Sequence, residues 1–155
     1  MRTHHRLAGA LFLATVLGLS GCEERHESPS AANPIIGTWI VKDPGAPFPD
    51  HMYVFNADGT LQQANPDAGD PRASDSDGKG VWVARDGSIK GKWVEIIADR
   101  ATHKFTGRAE ISFDLKVAGD GFKGSDWASS FDVDGVRTDG PSAPTPLEGQ
   151  RVTLP

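Results

Sequence analysis

The chain has 155 residues, of which 18 are Gly and 11 are Pro, and its formal net charge is −5. This length favours a single domain, the Gly and Pro content argues against a helical bundle, and the acidic balance excludes a nucleic-acid-binding domain that works by neutralising phosphates. The single Cys excludes an internal disulfide framework and a thiolate metal cluster.

The N-terminus has the pattern of a secretory signal peptide, which we assign to residues 1–21. Arg2 and Arg6 precede an apolar run from Leu7 to Leu19, and no acidic residue comes before that run. The run has 13 residues, whereas a membrane-spanning helix needs about 20. A basic start followed by a short apolar run is typical of a segment that directs export and is then removed.

Leu19-Ser20-Gly21-Cys22 resembles the bacterial lipobox, in which the chain is cut before the cysteine and the thiol is acylated. The resemblance implies cleavage between Gly21 and Cys22 and lipid attachment at Cys22. Each buried CH₂ of an acyl chain contributes about 0.8 kcal/mol, so a stable anchor takes more than one chain. The resemblance predicts a membrane-anchored lipoprotein of a bacterial cell envelope, and Glu23 favours the outer membrane if the host has one.

Residues 22–33 predict a flexible tether that begins at the acylated cysteine. From Glu23 to Asn33 the chain is polar and contains no aromatic or β-branched residue. Removal of the signal takes away two arginines and no acid, so the mature chain has no electrostatic reason to bind anionic lipid. The folded domain is predicted to span residues 34–155.

Six Asp-Gly pairs punctuate this domain, and most of them lie between short runs of β-like composition. Asp-Gly tolerates the positive φ that tight hairpin turns require. The strongest strand is Arg108–Val117, in which Ala109, Ile111, Phe113, Leu115 and Val117 alternate with polar residues. We predict strands at 36–42, 51–56, 60–65, 80–85, 91–98, 108–117, 121–132, 136–138 and 151–154.

One of these segments fits two patterns. The β-branched content of 91–98 favours a strand, but apolar residues spaced by four from Trp93 to Phe105 also fit a helix. We assign 91–98 to a strand and keep a helical turn near 99–104 as an alternative.

About eight strands without a long helix predict an all-β fold, a single up-and-down antiparallel β-barrel, because closing the sheet removes its exposed edges. Residues 66–79 and 139–149 are rich in Asp, Gly, Pro and Ser and are predicted as long connections at the barrel mouth or in solvent. A barrel of eight strands is just wide enough to be filled by side chains or to hold one small ligand.

Gly37-Thr38-Trp39 opens the first strand directly after the tether and resembles the Gly-x-Trp start of the calycins, the lipocalin and fatty-acid-binding barrels. Residues 55–60 and 80–82 are also similar to small bacterial lipocalin-like domains. The resemblance implies that Gly37 lets the strand bend and that Trp39 plugs the closed end of the barrel. The second lipocalin signature, Thr-Asp-Tyr, is absent from this sequence.

Eleven aromatic residues follow the signal peptide. Each buries about 150–250 Å², so together they leave room for a small cavity only. We expect the Trp residues mainly in the core, and the candidates for a ligand wall are Trp82, Trp93 and Phe113. The predicted ligand is a small apolar or amphipathic molecule.

No catalytic or metal-binding motif stands out. Asp75-Ser76-Asp77-Gly78 is similar to the start of a calcium loop, and Asp67 and Asp70 lie nearby, but the Glu at the twelfth position is missing. No Gly-x-Ser-x-Gly occurs, and His26, His51 and His103 stand alone, without metal-ligand spacing. We therefore predict no catalytic residue, no metal and no cofactor.

The sequence supports two functional hypotheses from different classes, and we consider an enzyme as a third. The leading hypothesis is an envelope lipoprotein whose barrel binds a small ligand. The alternative is a non-enzymatic protein-interaction or inhibitor module with a filled barrel, whose partner the sequence does not identify. An enzyme that uses the barrel mouth is the third. A cavity smaller than about 300 Å³, the lower end for ligand pockets, would remove the first.

Overall fold

The computed structural model describes residues 33–66 and 70–155. The predictions for the signal peptide, the acylated Cys22 and most of the tether fall on residues 1–32, outside the described residues. The described residues form β-strands joined by turns and loops, and they contain no helix long and apolar enough to cross a membrane.

Ten strands follow one another along the described chain. They are β1 (Gly37–Lys42), β2 (Asp50–Phe55), β3 (Thr60–Ala64), β4 (Ala73–Asp75), β5 (Lys79–Arg85), β6 (Ser88–Asp99), β7 (Phe105–Ala118), β8 (Gly121–Phe131), β9 (Arg137–Asp139) and β10 (Thr145–Arg151). The predicted strands are confirmed within a few residues of their ends, except the last.

Eight of the ten strands form a closed, up-and-down antiparallel barrel. From β1 to β3 and from β5 to β8 each strand pairs with the next, β3 pairs with β5, β8 pairs with β10, and β10 returns to β1. The closing register places Trp39 opposite Arg151. The short strands β4 and β9 pair with β6 and β8 without taking part in the closure. The predicted fold is confirmed, and closure removes the free edges that an open sheet would expose.

Asp-Gly pairs make several of the hairpin turns. Between β5 and β6, Asp86 has a φ of 52° and Gly87 a φ of 76°, the two positive values that a two-residue hairpin turn requires. Between β2 and β3, Asp58 Oδ1 accepts hydrogen bonds from the N–H of Thr60 at 2.9 Å and from its hydroxyl at 2.7 Å. The local turn chemistry therefore brings neighbouring strands together.

The alternation of side chains directs one face of each barrel strand inward. On β7, Ile111, Phe113 and Leu115 are buried, and Ala109 and Val117 pack against them, as predicted. Burial of such an apolar side chain stabilises the fold by about 1.5–3 kcal/mol relative to an exposed one. The buried apolar residues of the core are Ile35, Trp39, Val41, Tyr53, Phe55, Leu61, Trp82, Ile89, Trp93, Ile111, Phe113, Leu115, Phe122 and Leu147.

One end of the barrel is sealed around Trp39. The indole N–H of Trp39 donates to the Ile35 carbonyl at 2.7 Å, and the Arg151 guanidinium lies 4.2 Å above the indole ring. Arg151 also donates to the carbonyls of Ile36 and Pro34, so the last strand holds the segment that precedes β1. Gly37 has a φ of 134°, and a Cβ there would lie 2.9 Å from Arg151 Nη1, so a side chain at this bend would be strained.

The last strand was placed wrongly by the sequence pattern. The structure has β10 at Thr145–Arg151, overlapping the predicted connection 139–149, and not at 151–154. Pro146 argues against a central strand because it lacks a backbone donor. Pro146 lies in the part of β10 that pairs with β8, before pairing with β1 starts at Glu148, so it interrupts no hydrogen bond to β1.

Two other segments differ from or refine the expectation. Within the predicted connection 66–79 the chain forms the short strand β4. The assignment of 91–98 to a strand is confirmed, since β6 covers that whole segment. The residues after it form one isolated turn, in which the N–H of His103 donates to the Asp99 carbonyl at 2.8 Å. This i→i+4 bond is that of a single helical turn, as in the alternative for 99–104, and the turn does not continue into a helix.

Candidate functional site

A cavity of about 540 Å³ opens at the end of the barrel away from Trp39. The inner faces of β6, β7 and β8 form much of its wall, and the loop after β1 and the segment that leads into β10 complete it. Phe48, Trp93 and Ile111 supply apolar surface. The volume lies within the range of about 300–1,000 Å³ that is usual for small-molecule sites.

The alternation of side chains along β6 and β8 places a carboxyl group of each strand on the face that lines this cavity. Glu95 on β6 lines it and is in register with Ala109 on β7, which lines it as well. Asp126 on β8 is in register with the core residue Phe113 and is only 6% exposed. Asp43 directly follows β1 and is 9% exposed. Three acids from three parts of the sequence therefore line the same cavity at the open end of the interior.

Asp43 and Asp126 form a carboxyl pair. The pKa of Asp126 is raised to about 7, first by burial and then by the charge of Asp43 and a hydrogen bond with it. Such a hydrogen bond requires a proton between the two carboxyls, and protonated Asp126 donates it. Asp43 Oδ1 also accepts from the N–H of Gly45 at 2.9 Å. Asp126 therefore holds a proton that it can release near neutral pH.

Glu95 is a second titrating group in the same cavity. Burial raises the pKa of Glu95 to about 7, and the charges of Asp75 and Asp77 contribute to the shift. Asp75, at the end of β4, lines the cavity as well, whereas Asp77 is exposed. Among the described residues, no Lys or Arg lines this cavity. Near pH 7 Glu95 is therefore divided between its neutral and ionised forms, and a nearby positive charge would ionise it.

Tyr53 on β2 is buried in the core, close enough to Asp43, Glu95 and Asp126 for their charges to act on its hydroxyl. Burial first, and then the charge of Asp126, raises the pKa of the Tyr53 hydroxyl well above its usual value, so the hydroxyl keeps its proton. The Trp93 ring stands edge-on to Tyr53, with 6.3 Å between centroids. Its indole N–H lies on the hydroxyl side, where it favours the phenolate, yet it makes no hydrogen bond of normal geometry. Leaving a buried donor unpaired costs about 1–3 kcal/mol.

A Pro-rich loop, residues 44–49, borders the mouth and is held through His51. The His51 Nε2–H donates to the Phe48 carbonyl at 2.8 Å, and Nδ1 accepts from Gln63 Nε2 at 3.0 Å. Gln63 Oε1 accepts from the N–H of Gly78 at 2.9 Å, which fixes the orientation of the amide and hence the roles assigned to the two ring nitrogens. The loop is thus tied to the interior by side-chain hydrogen bonds.

The three residues proposed for a ligand wall separate in the structure. Trp82 is 1% exposed, and its indole N–H donates to the carbonyls of Asn56 and Thr60 at 3.0 and 3.1 Å. Phe113 is also 1% exposed and belongs to the core. Trp93 alone of the three lines the cavity.

The residues considered for metal binding do not converge. Of the calcium-like segment, Asp75 lines the cavity and Asp77 is exposed. His51 lies at the mouth, whereas His103 is exposed in the turn after β6. Among residues 33–66 and 70–155, no group of three or more His, Cys, Asp or Glu is arranged to hold a metal ion. His26 and Asp67 fall outside those ranges.

Sequence reasoning missed the acids of the cavity, although a signal for two of them was present. Glu95 has the same strand parity as Trp93, and Asp126 the same parity as Phe122. A carboxyl on the apolar face of a predicted strand indicates either a buried acid or a site. Asp43 carried no such signal, because it follows the end of its strand.

Comparisons with protein families, curated proteins and solved structures found no match for the chain. The closed eight-stranded antiparallel barrel is consistent with a calycin-like fold. The function is therefore inferred from the cavity itself.

Proposed function

We propose that the protein is a calycin-like binding protein that holds a small amphipathic molecule in the cavity at the open end of its barrel. The observation that carries the proposal is the cavity of about 540 Å³ in an interior that is otherwise filled by core side chains. Its volume exceeds the limit of about 300 Å³ below which a ligand-binding role would be excluded.

The lining supports an amphipathic ligand more than a purely apolar one. Trp93 and Ile111 offer apolar surface, while Glu95 and Asp126 offer hydrogen-bonding groups. A purely apolar molecule would remove these carboxyls from water without giving them partners, which is unfavourable. A ligand with a polar group and an apolar body satisfies both parts of the wall.

The proposal also concerns where the barrel works. The sequence around Cys22 supports acylation and attachment to a bacterial membrane, with Glu23 favouring the outer membrane of a Gram-negative host. The described chain starts at the closed end, where Arg151 bonds to the Pro34 carbonyl. An anchor that precedes this point leaves the cavity mouth on the far side of the barrel.

The binding function is tested by native mass spectrometry of the protein purified from its own host. We expect a bound small molecule on the natural protein and none on Ala109→Phe, because the added ring fills the cavity. Val81→Phe is the matched control, since Val81 is 63% exposed on the outer face and its variant should keep the ligand. A natural protein that carries no ligand, or one retained in full by Ala109→Phe, would contradict the proposal.

The anchor is tested separately by Cys22→Ala. We expect loss of acyl labelling and of the processed membrane form, because the substitution removes the only thiol of the chain. Ser20→Ala, which keeps a small residue before the cleavage point, should leave the membrane fraction unchanged. Membrane attachment that persists in Cys22→Ala would show that the anchor lies elsewhere.

The second candidate function is a protein-interaction module, and one outer surface favours it. Ile40 and Met52 are in register on β1 and β2, and they are 41% and 44% exposed. Ala64 continues the row on β3. If this row binds a partner, Met52→Lys should abolish co-purification of that partner from host membranes and leave the ligand of the cavity in place. If the partner still co-purifies with Met52→Lys, this candidate function is ruled out.

A further inference from the structure

The cavity is lined by acidic residues, with no Lys or Arg among the described residues to balance them. Asp43, Glu95 and Asp126 line it, and Asp75 adds a fourth carboxyl. In the described part of the chain, no ion pair involves any of these four acids. Low-dielectric walls focus the field of such groups into the cleft, which raises the local concentration of cations.

A second feature at the same place also lacks a partner. The indole N–H of Trp93 makes no hydrogen bond of normal geometry, although Trp93 is only 5% exposed. This N–H lies on the side of the Tyr53 hydroxyl, and that hydroxyl senses the charges of Asp126, Asp43 and Glu95. Trp93 itself lines the cavity beside these acids. Buried polar atoms without partners are rare in native proteins, and because this one is a donor it calls for an ordered water or for an acceptor on the occupant, separate from the group that faces the carboxyls.

We infer that the occupant is an organic cation, an amine whose ammonium group lies against the carboxyls that line the cavity and whose apolar part packs against Trp93. The inference rests on the proposed binding function and names the chemical class of its ligand. An ammonium group donates up to three hydrogen bonds but needs only one or two carboxylate partners, and aromatic rings favour a neighbouring cation. A metal ion fits less well, because no described set of three ligands converges on one point.

Binding of a cation should be coupled to loss of protons. The pKa values of Asp126 and Glu95 are both raised to about 7, mainly by burial. An ammonium group beside these carboxyls favours their ionised forms and lowers both pKa values. At neutral pH the complex should therefore release protons to the buffer, whereas a neutral ligand of the same shape should release none.

The experiment is calorimetric titration of the purified full-length protein with three probes of similar size, 2-phenylethylamine, 2-phenylethanol and phenylacetate. We expect the amine to bind about tenfold or more tightly than the alcohol, and the carboxylate to bind most weakly. Titration of the amine in two buffers of different ionisation enthalpy should reveal proton release. Higher salt should lower the affinity for the amine and leave the affinity for the alcohol unchanged.

Two variants separate the role of the acids from general damage to the fold. Glu95→Gln and Asp126→Asn should each weaken amine binding about fivefold or more and change alcohol binding less than about twofold. Glu110→Gln removes a carboxyl from the outer face, where Glu110 pairs with Lys92 and Arg108, and should change neither. Circular dichroism of each variant checks that the barrel is intact, and an intact variant with unchanged amine affinity would count against the role of that acid.

The outcomes distinguish this inference from the proposed function. If the alcohol or the carboxylate binds as tightly as the amine, the cavity binds ligands without selecting cations, and only the inference fails. If none of the three probes binds, the inference is overturned, and the proposed function is judged by the native ligand found in mass spectrometry. A neutral native ligand would likewise overturn the inference and support the proposed function.

Discussion

The two ends of the barrel interior treat their polar groups in opposite ways. At the closed end, the Trp39 N–H and the Arg151 guanidinium both have carbonyl partners, and the two side chains stack. At the open end, Glu95 and Asp126 have no cationic partner among the described residues, and the Trp93 N–H makes no hydrogen bond of normal geometry there. The comparison shows that the closed end secures the fold, while the open end keeps unsatisfied groups that a ligand can satisfy.

Trp39→Ala should give the largest effect, because it removes the residue that seals the closed end. We expect a loss of about 3–5 kcal/mol in the free energy of unfolding, typical of a large buried aromatic. The measurement is denaturant unfolding followed by circular dichroism. Trp127→Ala, on the outward-facing side of β8, is the matched control and should cost much less. Equal losses would mean that Trp39 contributes no more than an outer-face Trp and does not seal the closed end.

Arg151→Met should come next. Met keeps most of the apolar stem but removes the hydrogen bonds to Ile36 and Pro34 and the cation above Trp39, so we expect a loss of about 2 kcal/mol. Arg108→Met is the control, since Arg108 lies over Phe131 on the outside, 4.3 Å from the ring centroid. The loss in the free energy of unfolding for Arg108→Met should be about 0.5–1 kcal/mol. A smaller loss for Arg151→Met than for Arg108→Met would contradict the role of Arg151 in holding the closed end together.

The open end should make the protein less stable as the pH rises. Asp126 and Glu95 have folded-state pKa values near 7, above the ordinary values of 3.8 and 4.5, so the folded state binds more protons than the unfolded state between about pH 4 and 7. Stability should therefore fall over this window and level off above it. Allowing for solvent screening at the cavity, we expect a loss of about 1–2 kcal/mol.

Thermal unfolding at a series of pH values measures this dependence. Asp126→Asn and Glu95→Gln should each flatten it, because the amide cannot ionise. Glu110→Gln, on the outer face, should leave the slope between pH 5 and about pH 7 in place. A stability that rises through this window in the natural protein would show that the carboxyls are not held neutral by burial.

Trp93→Phe should have the smallest effect on stability. Phe keeps an aromatic wall and removes the unpaired indole N–H, so the lost packing and the relieved donor offset each other to within about 1 kcal/mol. The measurement is again denaturant unfolding, with Trp82→Phe as the control. Trp82 donates to two carbonyls, so its replacement should cost more. A large loss for Trp93→Phe alone would indicate that its N–H is satisfied in solution.

The barrel could be predicted from the sequence because its signals are local. The alternation of β7 and the turn at Asp86 and Gly87 each depend on neighbours in sequence, and the structure has both. The cavity could not be predicted, because Asp43 and Asp126 meet only through the ladders of β1, β10 and β8. Pro146 obscured β10, and without β10 nothing in the sequence brings these two carboxyls together.

Closure by β10 also has a consequence for biogenesis. Of the eight barrel strands, β10 is the last to be synthesised, so a nascent chain that has emerged only as far as β8 presents two open edges, on β1 and on β8. Joining Trp39 to Arg151 then requires a loop of nearly the whole domain to close, which is entropically costly. We expect ring closure to be the slow step of folding and the incomplete chain to be the species that needs protection from aggregation.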